Sequence, residues 1–183
     1  MRVLHVGKFF PPHPGGIERT SADLCAALAE REVTVAMLAH AEPGAHRSRS
    51  ASTGDVEVTL AACHGQWLYA PVSPTFAWLL DRAIRHFRPD LLHLHLPNTS
   101  AFWALLLPSA RHLPWVVHWH ADIPLDTSRR GLRLAYGFYR PWEQALLRRA
   151  HGVIATSSPY LDSSAALAPW REKTQVIPLG LPG

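Results

Sequence analysis

Histidine is the residue type through which this chain is best equipped to do chemistry. The sequence holds 12 histidines in 183 residues, and four of them form two alternating pairs, His93/His95 and His118/His120. Residues two apart on a strand share a face, so each pair aims two imidazoles the same way. An imidazole can move a proton, hold a hydrogen bond or ligate a metal. Two such pairs could in principle ligate a metal, but no nearby Cys or Glu completes a recognisable motif, and the expectation here is no metal. His120 stands apart because it closes its strand, followed by Ala121 and Asp122, where open α/β sheets bind ligands. It is the best single candidate for an active-site residue.

A second candidate lies in Arg2 to Leu28, which reads as a buried strand (Val3, Leu4, Val6), a Pro-rich loop carrying Gly15 and Gly16, and an amphipathic helix from Ile17. The loop after a parallel strand sits at the sheet's carboxyl edge, where the next helix presents unpaired N–H groups and the positive end of its dipole. Glycines there let backbone approach a ligand closely. The loop has neither the GxGxxG spacing of a dinucleotide site nor the Gly-Lys-Ser/Thr ending of a P-loop, and an ordinary strand-to-helix turn is an equally open reading.

The elements that must position these residues follow from periodicity. Ile17, Ser21, Leu24, Cys25 and Leu28 recur at helical spacing, with Glu18 in the first turn. Val33 to Leu38 reads as a strand reached by a short turn without a C-cap glycine. Ala41 to Gly54 is polar and reads as a mobile loop. Val56 to Ala62 is a strand, and a Gly-Gln-Trp turn follows. Ser73 and Pro74 are expected to cap a helix whose stripe is Phe76, Leu79, Leu80, Ala83, Ile84 and Phe87. Leu91 to His95 and Trp115 to Trp119 are strands separated by a short apolar helix around Phe102 to Leu107, and Ala121 to Ser128 is a loop. Leu132 to Leu147 is a long helix that Pro141 could kink. A strand at Gly152 to Thr156, a helix at Pro159 to Leu167 and a strand at Gln175 to Ile177 complete the chain. Strands alternating with helices predict an α/β, Rossmann-like, mainly parallel sheet with helices on both faces, as one domain over residues 1–183.

Composition bounds the partners. With 48% hydrophobic and 17% charged residues the chain should fold as a globule. The net charge of +4 is concentrated in Arg129, Arg130, Arg133, Arg140, Arg148 and Arg149, which points to an anionic partner. On a helix such arginines are either a solvated face or a peripheral membrane contact. Nucleic acid is disfavoured, because the arginines occupy one helix rather than a groove with interleaved stacking positions. Cys25 and Cys63 fit no metal or disulfide pattern, so a reducing, cytoplasmic setting is expected. No stretch reaches the length of a membrane span.

Four stretches together resemble the N-terminal half of a family 4 retaining, nucleotide-sugar-dependent glycosyltransferase of the two-domain GT-B fold. They are KFFPPHPGGIER (Lys8 to Arg19), RPDLLHLHLPN (Arg88 to Asn98), VVHWHADI (Val116 to Ile123) and VIPLGL (Val176 to Leu181). The resemblance implies that Gly15 and Gly16 approach the donor's phosphates and that His120 lies in the interdomain cleft beside the donor sugar. It also implies that Lys8, His95, Asn98 and Asp122 belong to the cleft or acceptor side, although Asp122 and His95 have structural readings as a loop cap and a packed side chain. No cofactor is implied beyond the nucleotide-diphosphate sugar used as donor substrate. The acceptor would be a saccharide, lipid-linked or free, and the basic helix with Arg129, Arg130, Arg133 and Arg140 would face an anionic membrane surface or the acceptor phosphate.

The family's C-terminal donor-binding domain, with its paired glutamates, is absent from the chain, so the expected function is the acceptor half of a transferase, inactive alone. A non-catalytic module binding an anionic glycan or phospholipid is the alternative. A dinucleotide-dependent oxidoreductase is disfavoured, because the glycine fingerprint is missing and no acidic residue follows the second strand before Glu42.

Overall fold

The computed structural model describes residues 1–123 and 130–180. Its centre is an eight-stranded sheet. The chain begins with β1 (Arg2–Phe9), α1 (Gly16–Ala29) and β2 (Thr34–His40). It continues through β3 (Arg49–Thr53), β4 (Val56–Ala61), the small hairpin β5 (Gln66–Trp67) and β6 (Ala70–Pro71), and α2 (Phe76–Phe87). Next come β7 (Leu91–Leu96), a 3₁₀ turn at Thr99–Phe102, α3 (Trp103–Leu106), α4 (Pro108–Arg111) and β8 (Trp115–Trp119). α5 (Arg130–Arg149), β9 (Gly152–Ala155), α6 (Ser158–Ser163), a second 3₁₀ segment at Ala168–Lys173 and β10 (Thr174–Val176) end the described chain.

The strand order is β10-β9-β8-β7-β1-β2-β4-β3. Every pairing is parallel except β3 with β4. The chain winds outward in one direction from β1 and in the other from β7, so the switch point lies between these two strands, where open α/β sheets bind ligands at the carboxyl ends.

The parallel strands are buried on both faces and read as apolar runs. One face carries Leu4, Val6, Leu38, Leu92, Leu94, Val117 and Trp119 under α2, α5 and the small helices. The stripe of α2 is buried there through Phe76, Leu79, Leu80, Ile84 and Phe87, each contributing roughly 1.5–3 kcal/mol of transfer free energy. The other face carries Val35, Met37 and Ala39 against Cys25 of α1.

Several local expectations change. Arg49–Thr53 forms an antiparallel edge strand on β4 within the stretch read as a mobile loop. All five of its side chains are exposed, so pairing rather than burial holds it. Residues 66–71 form a hairpin instead of a turn alone. Ser73 does not cap α2: the helix starts at Phe76 after Thr75, with no side-chain cap. The helix expected at Pro159 to Leu167 ends at Ser163. After α1 it is Glu32 that takes the left-handed conformation, φ 61°, where glycine would be free of strain. No helix among the described residues is long and apolar enough to cross a membrane.

Candidate active site at the switch point

The β1–β7 and β7–β8 registers bring the histidines together. His5 pairs with His93, and His95 pairs with His118. With His120 just beyond β8, five imidazoles share the sheet face that α1 partly covers, and His5, His93, His95 and His118 are all buried. Their rings stack nearly parallel: His93 on His95 at 4.7 Å and 5°, and His118 on His120 at 4.2 Å and 10°. Two contacts run edge to edge, His5 Nδ1 to His95 Nε2 at 3.0 Å and His95 Nδ1 to His120 Nε2 at 2.9 Å. Burial holds His5 and His120 down to about 3 and His118 to about 4, and keeps His93 and His95 well below the ordinary imidazole value. The neighbouring histidines add to the lowering at His5, His93, His95 and His120. The column is therefore neutral at pH 7.

Two histidine triads, His5/His93/His95 and His95/His118/His120, have nitrogens within 4.8 Å of one another, a donor set suited to zinc. A metal must lie near the plane of each ring it binds. The closely stacked pairs His93–His95 and His118–His120 are within 10° of parallel, so their lone pairs run side by side, while the nitrogens that do face each other, His5 with His95 and His95 with His120, stand at the hydrogen-bond separations of 3.0 and 2.9 Å. The arrangement favours hydrogen bonding over ligation.

His40 at the end of β2 is a different kind of buried histidine. Its Nδ1–H donates to the Lys8 carbonyl, and Nε2 accepts from Ser100 Oγ at 3.0 Å. Its ring stacks on Phe76 at 4.4 Å. Both nitrogens are satisfied, and the residue ties the end of β1 to the 3₁₀ turn after β7. It is a fixture that positions Lys8.

Lys8 and Asn98 meet at a cavity of about 350 Å³ beyond the carboxyl edge, walled by Trp67, Tyr69, Tyr136 and Tyr139. Asn98 Oδ1 accepts from the Ser100 N–H at 3.1 Å and caps the 3₁₀ turn. Its buried Nδ2 has no partner among the described residues. Burial lowers the Lys8 pKa, against the opposing pull of Glu18. His95, His120 and Asp122 do not line this cavity.

Gly15 and Gly16 stand exposed at the start of α1. A Cβ on Gly15 would fall 2.0 Å from Glu18 Oε2, so the carboxylate folds over this glycine, whereas one on Gly16 would meet nothing within 4 Å. Packing therefore gives no reason for glycine at 16.

Asp122 is an anchor. Its carboxylate accepts from Trp119 Nε1 at 2.8 Å, from Tyr160 O–H at 2.7 Å and from Ser164 O–H at 2.8 Å, fastening the end of β8 to α6 and the segment after it. Replacing Asp122 with Ala leaves these donors short of an acceptor, at about 1 kcal/mol or more each. Asp122→Ala is expected to lose about 3 kcal/mol in urea denaturation and Asp122→Asn about 1 kcal/mol. A loss below that for the alanine variant would show the anchor to be unimportant.

Arg133 and Arg140 are exposed on α5, beside a strip of exposed Leu134, Phe138 and Trp142 at four-residue spacing. Arg129 lies outside the described residues, as does the side chain of Arg130. The helix thus carries apolar residues on its solvent side beside the arginines. Glu143 was not anticipated: it is buried at 1% exposure, and desolvation raises its carboxyl to about 7. Its position at helical spacing between Tyr139 and Leu146 was the available signal.

Residues 15–180 match the glycosyl transferase 4-like domain. The chain is 29% identical over 189 residues to the O-antigen chain mannosyltransferase C of Escherichia coli, which covers 99% of this chain and 46% of that protein. Among solved structures, sucrose-phosphate synthase from Thermosynechococcus elongatus superposes with TM-score 0.70 at 18% identity, over 98% of this chain and 48% of that one. Anabaena HepE in complex with UDP-glucose superposes with TM-score 0.59 at 19% identity, over 99% and 44%. The chain thus spans about half the length of the proteins it matches. A match running from the glycine loop to the last strand, on a sheet of this topology, means that the chain belongs to the glycosyl transferase 4-like domain family.

Proposed function

We propose that this domain is the acceptor-binding half of a retaining, metal-independent glycosyltransferase that moves a hexose from a nucleotide-diphosphate sugar to a saccharide. The observation that carries the reading is that Lys8, Asn98, His120 and the start of α1 all lie at the carboxyl edge around the β1/β7 switch point. The relatives act in the same sense, one being a mannosyltransferase by name and another a protein seen with UDP-glucose.

In this reading the N–H groups at Gly15 and Gly16 meet the donor's diphosphate, where the helix dipole favours negative charge. The bond from the sugar's anomeric carbon to the phosphate oxygen breaks, and the acceptor oxygen bonds on the same face. The acceptor's proton passes to the departing phosphate. No side-chain base is required, and catalysis is positioning plus electrostatic stabilisation of the leaving group. His120 orients the sugar. The aromatic-walled cavity suits an acceptor saccharide, with ring faces on Tyr136 and Tyr139 and hydroxyls on Lys8 and Asn98.

The exposed Leu134, Phe138 and Trp142 beside Arg133 and Arg140 support a lipid-linked acceptor at an anionic membrane surface. The test is transfer from a panel of nucleotide sugars to free and lipid-linked saccharides by the chain joined to a donor-binding half. Transfer from one donor, with none by the chain alone, is the expected result. Binding of glycan or phospholipid without turnover, in every combination, would overturn the transferase reading.

A further inference from the structure

The edge-to-edge histidine contacts have a direction. A neutral imidazole carries one N–H, so each contact in the series His5–His95–His120 needs a single proton between its two nitrogens, and the whole series runs one way or the other. Two observations choose between the senses.

The first is Ser21. Its Oγ lies 2.7 Å from the carbonyl oxygen of Ile17, which can only accept, so the single hydroxyl proton of Ser21 is committed there. Ser21 Oγ also lies 3.3 Å from His95 Nδ1. That contact is attractive only if Nδ1 carries the hydrogen and the serine oxygen accepts. His95 Nδ1–H then faces both Ser21 Oγ and His120 Nε2, and His95 Nε2 accepts from His5 Nδ1–H.

The second is the position of the leftover donor. Either sense leaves one N–H without a partner among the described residues, at His5 Nε2 or at His120 Nδ1. His5 is 0% exposed in the middle of the sheet, where an orphan N–H costs its full desolvation. His120 lies past the strand end and is only partly buried as a residue; its Nδ1 is covered as it stands, and a turn of the ring at this edge brings it to a ligand oxygen, a movement that His5 in mid-sheet does not have. Both observations select the same sense.

We propose that Ser21 and the buried series His5–His95 are positioning residues that hold His120 in the tautomer with its proton on Nδ1. The unpartnered nitrogen of His120 is then an obligate hydrogen-bond donor, set to meet an oxygen of the sugar or phosphate rather than to accept a proton. This rests on the transferase reading for its use but not for its existence. His93 and His118 stack on the series and make no hydrogen bond to it.

The tautomer is read directly by nitrogen NMR of the chain labelled with ¹⁵N-histidine at pH 7.5, with His120→Phe and His95→Phe used for assignment. The expected pattern is protonated Nδ1 at His5, His95 and His120. A protonated Nε2 at His120 overturns the proposal, whatever the activity assays give. Ser21→Ala removes the acceptor that selects the direction and should produce a second, Nε2-protonated population at His120; an unchanged pattern removes Ser21 from the proposal. In the enzyme joined to its donor half, Ser21→Ala should lower kcat about tenfold with KM nearly unchanged, the loss expected when the competent tautomer falls to about a tenth of the population, and Ser21→Thr should restore it. If no transfer is found in any combination while the NMR pattern holds, the transferase reading fails and the hydrogen-bond direction stands.

Discussion

Acidification from pH 7.5 to 5.5 should remove about 6 kcal/mol of folding free energy from this chain. Six histidines, the buried His5, His40, His93, His95 and His118 and the partly buried His120, are held below their ordinary value, chiefly by desolvation. A histidine depressed in the fold is neutral there while the unfolded chain takes up a proton near pH 6.5. The unfolded state therefore binds more protons below that pH, and stability is complete above about pH 6.5 and declines as the pH falls. Each such group contributes about 1.4 kcal/mol between these two pH values, so six amount to about 8 kcal/mol. Glu143 works the other way: its carboxyl, raised to about 7, is protonated in the fold before it is in the unfolded chain, and it returns about 2 kcal/mol on acidification.

The net loss is comparable with the whole stability of an ordinary domain, about 5–15 kcal/mol, so unfolding near pH 5.5 without denaturant is the expected outcome. Urea titrations at closely spaced pH values measure it, since the slope of stability against pH counts the protons taken up. An uptake of four to six is expected, and His118→Phe should reduce it by one. An uptake below two would mean that the histidines carry charge in the fold, which would also dissolve the neutral hydrogen-bond series.

The same histidines show what could be read in the sequence and what could not. Alternation placed His93 with His95 and His118 with His120 on common faces, because the period of a strand is local. That His5 joins them depends on the β1–β7 register, a pairing across almost ninety residues that no local pattern encodes. The parallel core was legible because its strands are unbroken apolar runs between helices. The edge strand β3 was not: Arg49–Thr53 has no apolar alternation, and it is a strand only because β4 offers it hydrogen bonds. Ser73-Pro74 has the residue types of a helix start, yet the chain runs two residues further before α2 begins at Phe76, which is buried with its ring against His40. Asp122 was read as a cleft residue with a structural alternative. Its three donors come from β8, α6 and the residue after α6, contacts visible only once those elements are assembled.

The largest functional effect is expected at His120. On the proposed transferase reading, His120→Ala in the chain joined to a donor-binding half should lower kcat by about two orders of magnitude, the scale of removing one preorganised transition-state donor, with KM for the acceptor changing little, because the cavity proposed for the acceptor is walled by other residues. The residue should not behave as a general base. Its pKa, held down to about 3 by burial and by His118, lies well away from the neutral range in which a base is most effective. Across the range in which the protein stays folded, kcat should therefore show no titration assignable to His120. His120→Asn tests the donor role itself, since an amide N–H can occupy the region of Nδ1. It should keep several-fold more activity than His120→Ala, whereas His120→Phe, which preserves the stacking on His118, should be as poor as alanine. Activity kept by His120→Phe and lost by His120→Ala and His120→Asn would mean that the imidazole is only packing, and the hydrogen-bond donor would have to be sought elsewhere, with Asn98 Nδ2, buried and unpartnered among the described residues, as the next group to change.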